Sequence, residues 1–292
     1  MIILGIDKND SCKLPMKSFL ITIFSFASAL LCAQKTPLEI AGFILSNKDS
    51  KEKYQKFLFE NRSIELDYKR DKKREYSLSY RQFKVADYYE VIDVTAKNSD
   101  NEKYDFYLYF RKDKNEWKLF DAQKLPNRTF SYVGFSKDLS QKKVDSIIQS
   151  KGEYRLFTSQ EQFNYIKSIY SLGMKSDDEI IQHFKDLKPK FLALKNNFIK
   201  FKNASSEYTD SDKNLKFGDD YEKLTLSEID EFLPFTRNTI AFIICREQNN
   251  AVGYFFTEKK NEITAIDPGG MLFIREIGDG WYLFKMKDKR KN

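Results

Sequence analysis

The hydrophobic period changes from helical to two-residue alternation, and it does so twice along the chain. In the first half, Tyr89, Val91, Asp93 and Thr95 alternate with Tyr88, Glu90, Ile92, Val94 and Ala96, and Asn98-Ser99-Asp100-Asn101 follows as a turn. Tyr104, Phe106, Leu108 and Phe110 then alternate with Tyr107 and Tyr109, and Asp113-Lys114-Asn115-Glu116 leads into Trp117-Lys118-Leu119-Phe120. Alternation broken by short polar turns predicts an antiparallel meander, with further strands expected at about 63–70 and 75–84. Helical signals precede it. Thr36, Pro37 and Glu39 form a cap, a first-turn proline and a reciprocal acid, so a helix starts there. Asp49 and Glu52 repeat the cap, and Tyr54, Phe57 and Leu58 form a stripe ending at Asn61, which predicts a second helix.

The second half has the same order. Leu139, Val144, Ile147 and Ile148 form a stripe that stops at Gly152, and Thr158 with Glu161 caps a helix carrying Phe163, Ile166, Ile169 and Tyr170 as far as Gly173. Ser176 and Glu179 cap another, whose stripe is Ile180, Phe184, Leu187, Phe191, Leu194 and Phe198. Pro189 interrupts its hydrogen-bond ladder, so a kink, or two helices meeting at Lys188, is expected. Residues 203–222 are polar and acidic and read as a connecting loop, followed by a short helix around Leu226–Phe232. Four apolar strand segments close the chain: Thr239–Cys245, Ala251–Phe256, Met271–Ile277 and Trp281–Lys287.

Residues 108–120 laid on 272–284 match at Leu108/Leu272, Arg111/Arg275, Trp117/Trp281, Leu119/Leu283 and Phe120/Phe284, and so include both tryptophans. The expected fold class is therefore α+β in two units, each with helices followed by an antiparallel sheet, a pattern consistent with internal duplication. The units span 34–135 and 136–292, the second with helices over 138–200 and strands over 238–287. A helix pair followed by a meander that ends in a polar turn and Trp117-Lys118-Leu119 resembles NTF2-like and cystatin-like α+β domains over residues 50–122. That resemblance implies a fold and carries over no functional residue.

From Ser18 to Cys32 the chain runs fifteen residues without a charge, behind Met16-Lys17 and ahead of Ala33-Gln34. This is the pattern of a signal peptide, too short to span a bilayer, with Met16 the expected start. Cleavage after Ala33 is favoured over lipidation at Cys32, because Leu31 stands where a lipoprotein signal wants a small residue. Residues 1–33 are accordingly a signal and the protein is expected to be periplasmic or secreted, touching membrane at export or through a lipid on Cys32. Cys-Ala-Gln at the end of the signal, followed by a chain rich in Lys, Asn, Phe and Tyr, resembles exported proteins of the Bacteroidetes. Loss of residues 1–33 removes Lys8, Lys13, Lys17, Asp7 and Asp10 and takes the net charge from +7 to +6. It also removes Cys12 and Cys32, leaving Cys245 in an apolar run, so no internal disulfide is available.

Composition narrows the chemistry. With 26 Phe and 17 Tyr the chain can build a core, and with one His and three Cys outside any C-x-x-C spacing it lacks the usual zinc ligand sets. Walker, Rossmann, G-x-S-x-G and H-E-x-x-H patterns do not occur. His183 lies beside the apolar stripe and reads as a half-buried helix residue. Asp210, Asp212 and Asn214 have calcium-loop spacing, but Leu215 and Tyr221 stand where an EF-hand needs Gly and Glu, so no cofactor or metal is expected. Mixed runs such as Lys69–Glu75 read as solvated surface, and no nucleic-acid partner is expected.

With Phe106, Leu108 and Phe110 facing the core, Tyr107 and Tyr109 point to the opposite face, where Tyr89 joins them. These three tyrosines are the candidate ligand-binding residues; the other reading has them packed under a helix or second unit. The function expected is a non-enzymatic module that binds a protein, glycan or small ligand. The alternatives are an immunity or inhibitor protein against an envelope toxin, and an envelope or polysaccharide hydrolase using carboxylates that spacing alone does not locate. Acids with raised pKa clustered in one cleft favour the hydrolase, and an aromatic patch without titratable groups favours binding.

Overall fold

The computed structural model describes residues 35–47, 50–61, 64, 75–124, 139–150, 157–204, 207–231, 239–247 and 250–287. Its architecture is α+β: two antiparallel sheets, each faced by helices. Helix α1 (Pro37–Ser46) opens with the expected box, in which Thr36 accepts from the Glu39 amide and its own amide donates to the Glu39 carboxylate at 2.8 Å. The second helix is shorter than its stripe suggested. α2 (Lys51–Tyr54) gives way to tight turns over Gln55–Phe57 and Phe59–Asn61, and Leu58 between them is extended and bridges to Leu119. Anchoring Leu58 to the sheet edge in this way prevents a continuous helix to Asn61.

The meander has strands β1 (Tyr76–Ala86), β2 (Tyr89–Asn98), β3 (Lys103–Asp113) and β4 (Glu116–Gln123), in spatial order of sequence. Ile92, Val94, Ala96, Phe106, Leu108 and Phe110 turn one face onto α1, where Ile40, Ala41 and Ile44 complete a core. Both faces are buried in the centre, which explains why β2 and β3 mix apolar residues into both registers. The strand expected over 63–70 falls almost wholly outside the described residues, as do the linker residues 125–138.

The second unit begins with α3 (Gln141–Gln149) and α4 (Gln160–Gly173). The cap of α4 is Ser159, one residue later than the pattern suggested, and Thr158 instead donates to the Gln162 side chain. Helix α5 (Asp177–Ala204) runs as one element through Pro189, not as two helices meeting at Lys188. Its stripe is buried on both sides of the proline, from Ile180 and Phe184 to Phe191, Leu194 and Phe198, and this packing carries the helix across the missing bond. Each such fully buried side chain contributes about 1.5–3 kcal/mol.

Two expectations fail between Ala204 and Phe232. The acidic stretch is not a loop but helix α6 (Asp210–Leu224), capped by Thr209 with Asp212 and burying Phe217, Tyr221 and Leu224. Asp210 and Asp212 are thus helix-start acids, the former paired with Lys213 at 2.7 Å. Their charge suits the positive end of the helix dipole. The apolar stripe was sparse enough to be masked by the acids around it. After Thr225 takes a left-handed turn (φ 54°), β5 (Glu228–Asp230) replaces the expected short helix, with Ile229 buried against β6.

Strands β6 (Ile240–Glu247), β7 (Asn250–Phe256), β8 (Met271–Gly278) and β9 (Trp281–Lys287) complete a sheet ordered β5-β6-β7-β9-β8. Both tryptophans do start the second strand of a hairpin. The hairpins differ in placement, because β3 is interior and β4 an edge, whereas β8 is the edge and β9 interior. Trp281 is accordingly fully buried, while Trp117 is partly exposed.

Gly253 is required by close packing, since a Cβ there would lie 2.3 Å from the Phe242 carbonyl oxygen. Gly42 on α1 has open space around the equivalent point. Gly253→Ala is expected to lower the urea-unfolding free energy by about 1–3 kcal/mol. Gly42→Ala is expected to raise it by roughly 0.5–1 kcal/mol through helix propensity. Equal effects of the two changes would contradict this packing.

Candidate functional site

The second face of the first sheet is graded along its length. In register across β1, β2 and β3 stand the rows Phe83/Val91/Tyr109, Arg81/Asp93/Tyr107, Ser79/Thr95/Asp105 and Ser77/Lys97/Lys103. The first row is apolar, the middle is ionic and the last is hydroxylic and basic. This face docks on the second unit where the β8 edge meets the amino end of α5.

At the apolar end, Tyr107 stacks on Phe273 of β8 with ring centroids 4.6 Å apart, and Phe83 meets the same ring edge-on at 5.1 Å. The Tyr109 hydroxyl donates to the Leu272 carbonyl oxygen at 2.8 Å. Tyr89 sits at the margin, 5.7 Å from Phe120, with a buried hydroxyl that no hydrogen-bond partner among the described residues meets. The three tyrosines singled out from the sequence do share one face. Tyr107 and Tyr109 are completely buried and covered by the chain's own second unit.

The middle of the seam holds charges that alternation alone did not flag. Lys285 of β9 is 2.5 Å from Asp177 at the start of α5 and 3.9 Å from Asp105 of β3. Tyr107 donates its hydroxyl to Asp177 at 3.0 Å, and the Asp177 amide donates to Asp105. A carboxylate from the first unit therefore satisfies one of the orphan amides of the longest helix of the second. Thr95 donates to the other Asp105 oxygen at 2.6 Å. Asp93 completes the group: Arg81 lies 3.4 Å from one of its oxygens, and the other, Oδ1, is buried with no hydrogen-bond partner among the described residues. Toward solvent, Asp178 accepts from Arg81 of the first unit and Arg275 of β8, each at 2.7 Å.

Charge counting governs the chemistry of this cluster. Three buried carboxylates face one buried ammonium and a guanidinium shared with Asp178, so a proton is needed for balance. Burial, then the charges of Asp177 and Asp105, pushes the Asp93 carboxyl far above its usual range. Burial, then Asp177, pushes Asp105 up to about 6. Lys285 is opposed by burial but held above its usual value by Asp177 and Asp105. Oxygens of Asp93, Asp105 and Asp177 lie within 4.8 Å of one another, and the Lys285 ammonium contacts two of the three, Asp177 and Asp105. With side-chain exposures of 1% for Asp93, 0% for Asp105 and 1% for Asp177, these acids are buried.

At the last row the seam opens. A cleft of about 310 Å³ lies between Ser77, Leu78, Ser79, Thr95, Lys97 and Lys103 of the first sheet and Ser176 and Asp178 of the second unit. Its floor is tied to the buried cluster through Thr95, and its far wall by the Arg81–Asp178–Arg275 clasp.

His183 lies elsewhere, between α5 and β7. Its Nδ1 is 3.1 Å from the Tyr254 hydroxyl, which itself donates to the Ile180 carbonyl oxygen at 2.7 Å. A phenol has one proton, so His183 donates here; burial holds its pKa below the usual value. The sequence did carry a signal for the cluster: Asp93 and Asp105 interrupt strands that are otherwise apolar, and Lys285 sits between Phe284 and Met286. A charge inside a two-sided apolar strand needs a partner.

Compared with family models, curated proteins and solved structures, the chain matches none.

The buried acids set a pH dependence of unfolding. Between the ordinary value of 3.8 and about 6, folded Asp105 keeps a proton that the unfolded chain has lost. Its stabilising contribution is full below that window and is lost as pH rises through it, by about 3 kcal/mol. Urea unfolding at several pH values should show stability falling from pH 4 toward 7; a steady rise across that range contradicts the protonated cluster. Lys285→Met should cost about 3–5 kcal/mol at pH 7 and less at pH 4.5, because it strands carboxylates that acid can neutralise.

Proposed function

We propose that this chain is a non-enzymatic, exported binding module that holds a small polar ligand in the cleft between its two units. The observation that carries the reading is the construction of the cleft. Its walls come from both units, and each wall is fixed by charge pairs that cross the seam, Lys285 to Asp105 beneath and Arg81 to Asp178 at the side. A preformed concavity at a junction of two units is a common setting for a small-ligand site, and the polar lining of this one calls for a polar ligand.

The acidic cluster is the observation that favours a hydrolase instead, since acids with raised pKa do gather beside the cleft. General acid catalysis, however, requires the acid to reach the bond being broken, and Asp93, Asp105 and Asp177 are sealed under Tyr107 and Lys285. Their arrangement supports a structural and electrostatic role. Large exposed apolar side chains among the described residues are Leu38, Tyr80, Tyr88 and Leu215, which are too dispersed to support a protein-docking patch and so argue against the inhibitor reading.

Ser79 is exposed on β1 and lines the cleft. Thermal-shift screening with sugars, sugar acids and amino acids should find a saturable stabiliser, and Ser79→Trp should abolish that shift while leaving the melting temperature of the unliganded protein nearly unchanged. Persistence of the full shift in Ser79→Trp would remove the cleft from the account. If Asp105→Asn instead abolished a measured glycan hydrolysis without loss of stability, the hydrolase reading would replace this one.

Export is supported by the uncharged run Ser18–Cys32 behind Lys17. Mass spectrometry of the protein from its native cells should find Gln34 at the amino terminus. A cytosolic protein retaining residues 1–33 would contradict export.

A further inference from the structure

Resting on the cleft reading, we infer that the ligand is a small polyhydroxylated anion, a sugar acid or a sugar phosphate, whose acidic group is held between Lys97 and Lys103. These lysines stand directly opposite each other on β2 and β3. Like charges in that register repel, and among the described residues neither has an ion-pair partner. Both line the cleft. Two rows along the same face, by contrast, Arg81 is matched with Asp93 across β1 and β2. An anion between the two ammonium groups would relieve the repulsion and accept from both.

The hydroxyl groups of the cleft specify the rest of the ligand. Thr95 spends its proton on Asp105, and Ser176 spends its own on Glu179 at 2.7 Å. Toward the cleft these oxygens therefore act as acceptors. Ligand hydroxyls away from the acidic group supply the matching donors, whereas inorganic phosphate has only the protons of its own acid oxygens, on the group that the lysines hold. Asp178, the acid on the wall, is already neutralised by Arg81 and Arg275, and the buried carboxylates by Lys285, Arg81 and a proton. The two lysines thus set the sign of the field inside the cleft. A volume of about 310 Å³ suits a monosaccharide-sized molecule.

Isothermal titration of the purified protein with glucuronate, glucose 6-phosphate, glucose and inorganic phosphate tests this. Either glucuronate or glucose 6-phosphate should bind at least tenfold more tightly than glucose and than inorganic phosphate, and the stronger of the two tells carboxylate from phosphate. The Lys97→Gln, Lys103→Gln double variant should lose at least tenfold in affinity for that acid and none for glucose. It should melt no lower than the parent protein, because it removes a repulsion, so loss of binding is not loss of fold. Glucose binding as tightly as its acids, unaffected by the double variant but lost in Ser79→Trp, would overturn the anion assignment and leave the cleft reading standing. Inorganic phosphate binding as tightly as glucose 6-phosphate would overturn the polyol half. Absence of saturable binding by all four probes would overturn this inference, while a saturable neutral or cationic ligand that Ser79→Trp removes would still uphold the cleft.

Discussion

The pairing of Lys285 with Asp177, roofed by Asp105, Asp93 and Tyr107, is the interaction on which the joining of the two sheets depends. It lies where the amino end of α5, the second face of the first sheet and strand β9 converge. Taken alone, a buried ion pair is poor stabilisation, because desolvation offsets the attraction. Its effect here is on specificity. An uncompensated charge in that position is so costly that the docked register of the two units is set by who meets whom: Asp105 meets the first amide of α5, Tyr107 meets Asp177, and Asp178 receives one arginine from each unit. The apolar contact of Tyr107 and Phe83 with Phe273 adds area without direction.

The same arrangement explains why a cleft survives at the seam. Going along the face from the Val91 row to the Lys97 row, aromatic rings give way to polar side chains, and the facing helix end supplies Ser176 and Asp178 in place of large rings. The sheets are clamped at the middle row and cannot close over the last one. A rigid ionic floor beneath a hydroxyl-lined opening fixes acceptor oxygens in place, which lowers the ordering cost of binding.

Much of the fold was legible in the sequence because local signals and packing agree. Thr36 with Glu39 caps α1, the β2–β3 alternation gives the meander, and the stripe from Ile180 to Phe198 gives α5. Failures came where packing overrode a local signal. The acids of Asp210–Asp220 disguised a helix that buries few residues, and Pro189 lost to the apolar contacts on either side of it. The site was half legible. Parity placed Tyr107 and Tyr109 on the second face and named burial under another unit as one of two outcomes, but their cover comes from Phe273 and Leu272, more than a hundred and sixty residues away in the case of the Tyr109 bond. Asp93, Asp105 and Lys285 were visible as charges within apolar strands, yet sequence spacing gives no means of bringing them to Asp177.

Hydrogen exchange at the Asp177 amide tests the account most directly. An amide at the start of a helix ordinarily exchanges early, since it lacks an intrahelical acceptor. Here it donates into a buried carboxylate of the other unit. Protection matching that of the central β2 and β3 amides is the predicted result, with exchange requiring the seam to open as a whole. Exchange at the rate of an exposed helix start would contradict the claim that this charge cluster joins the two units.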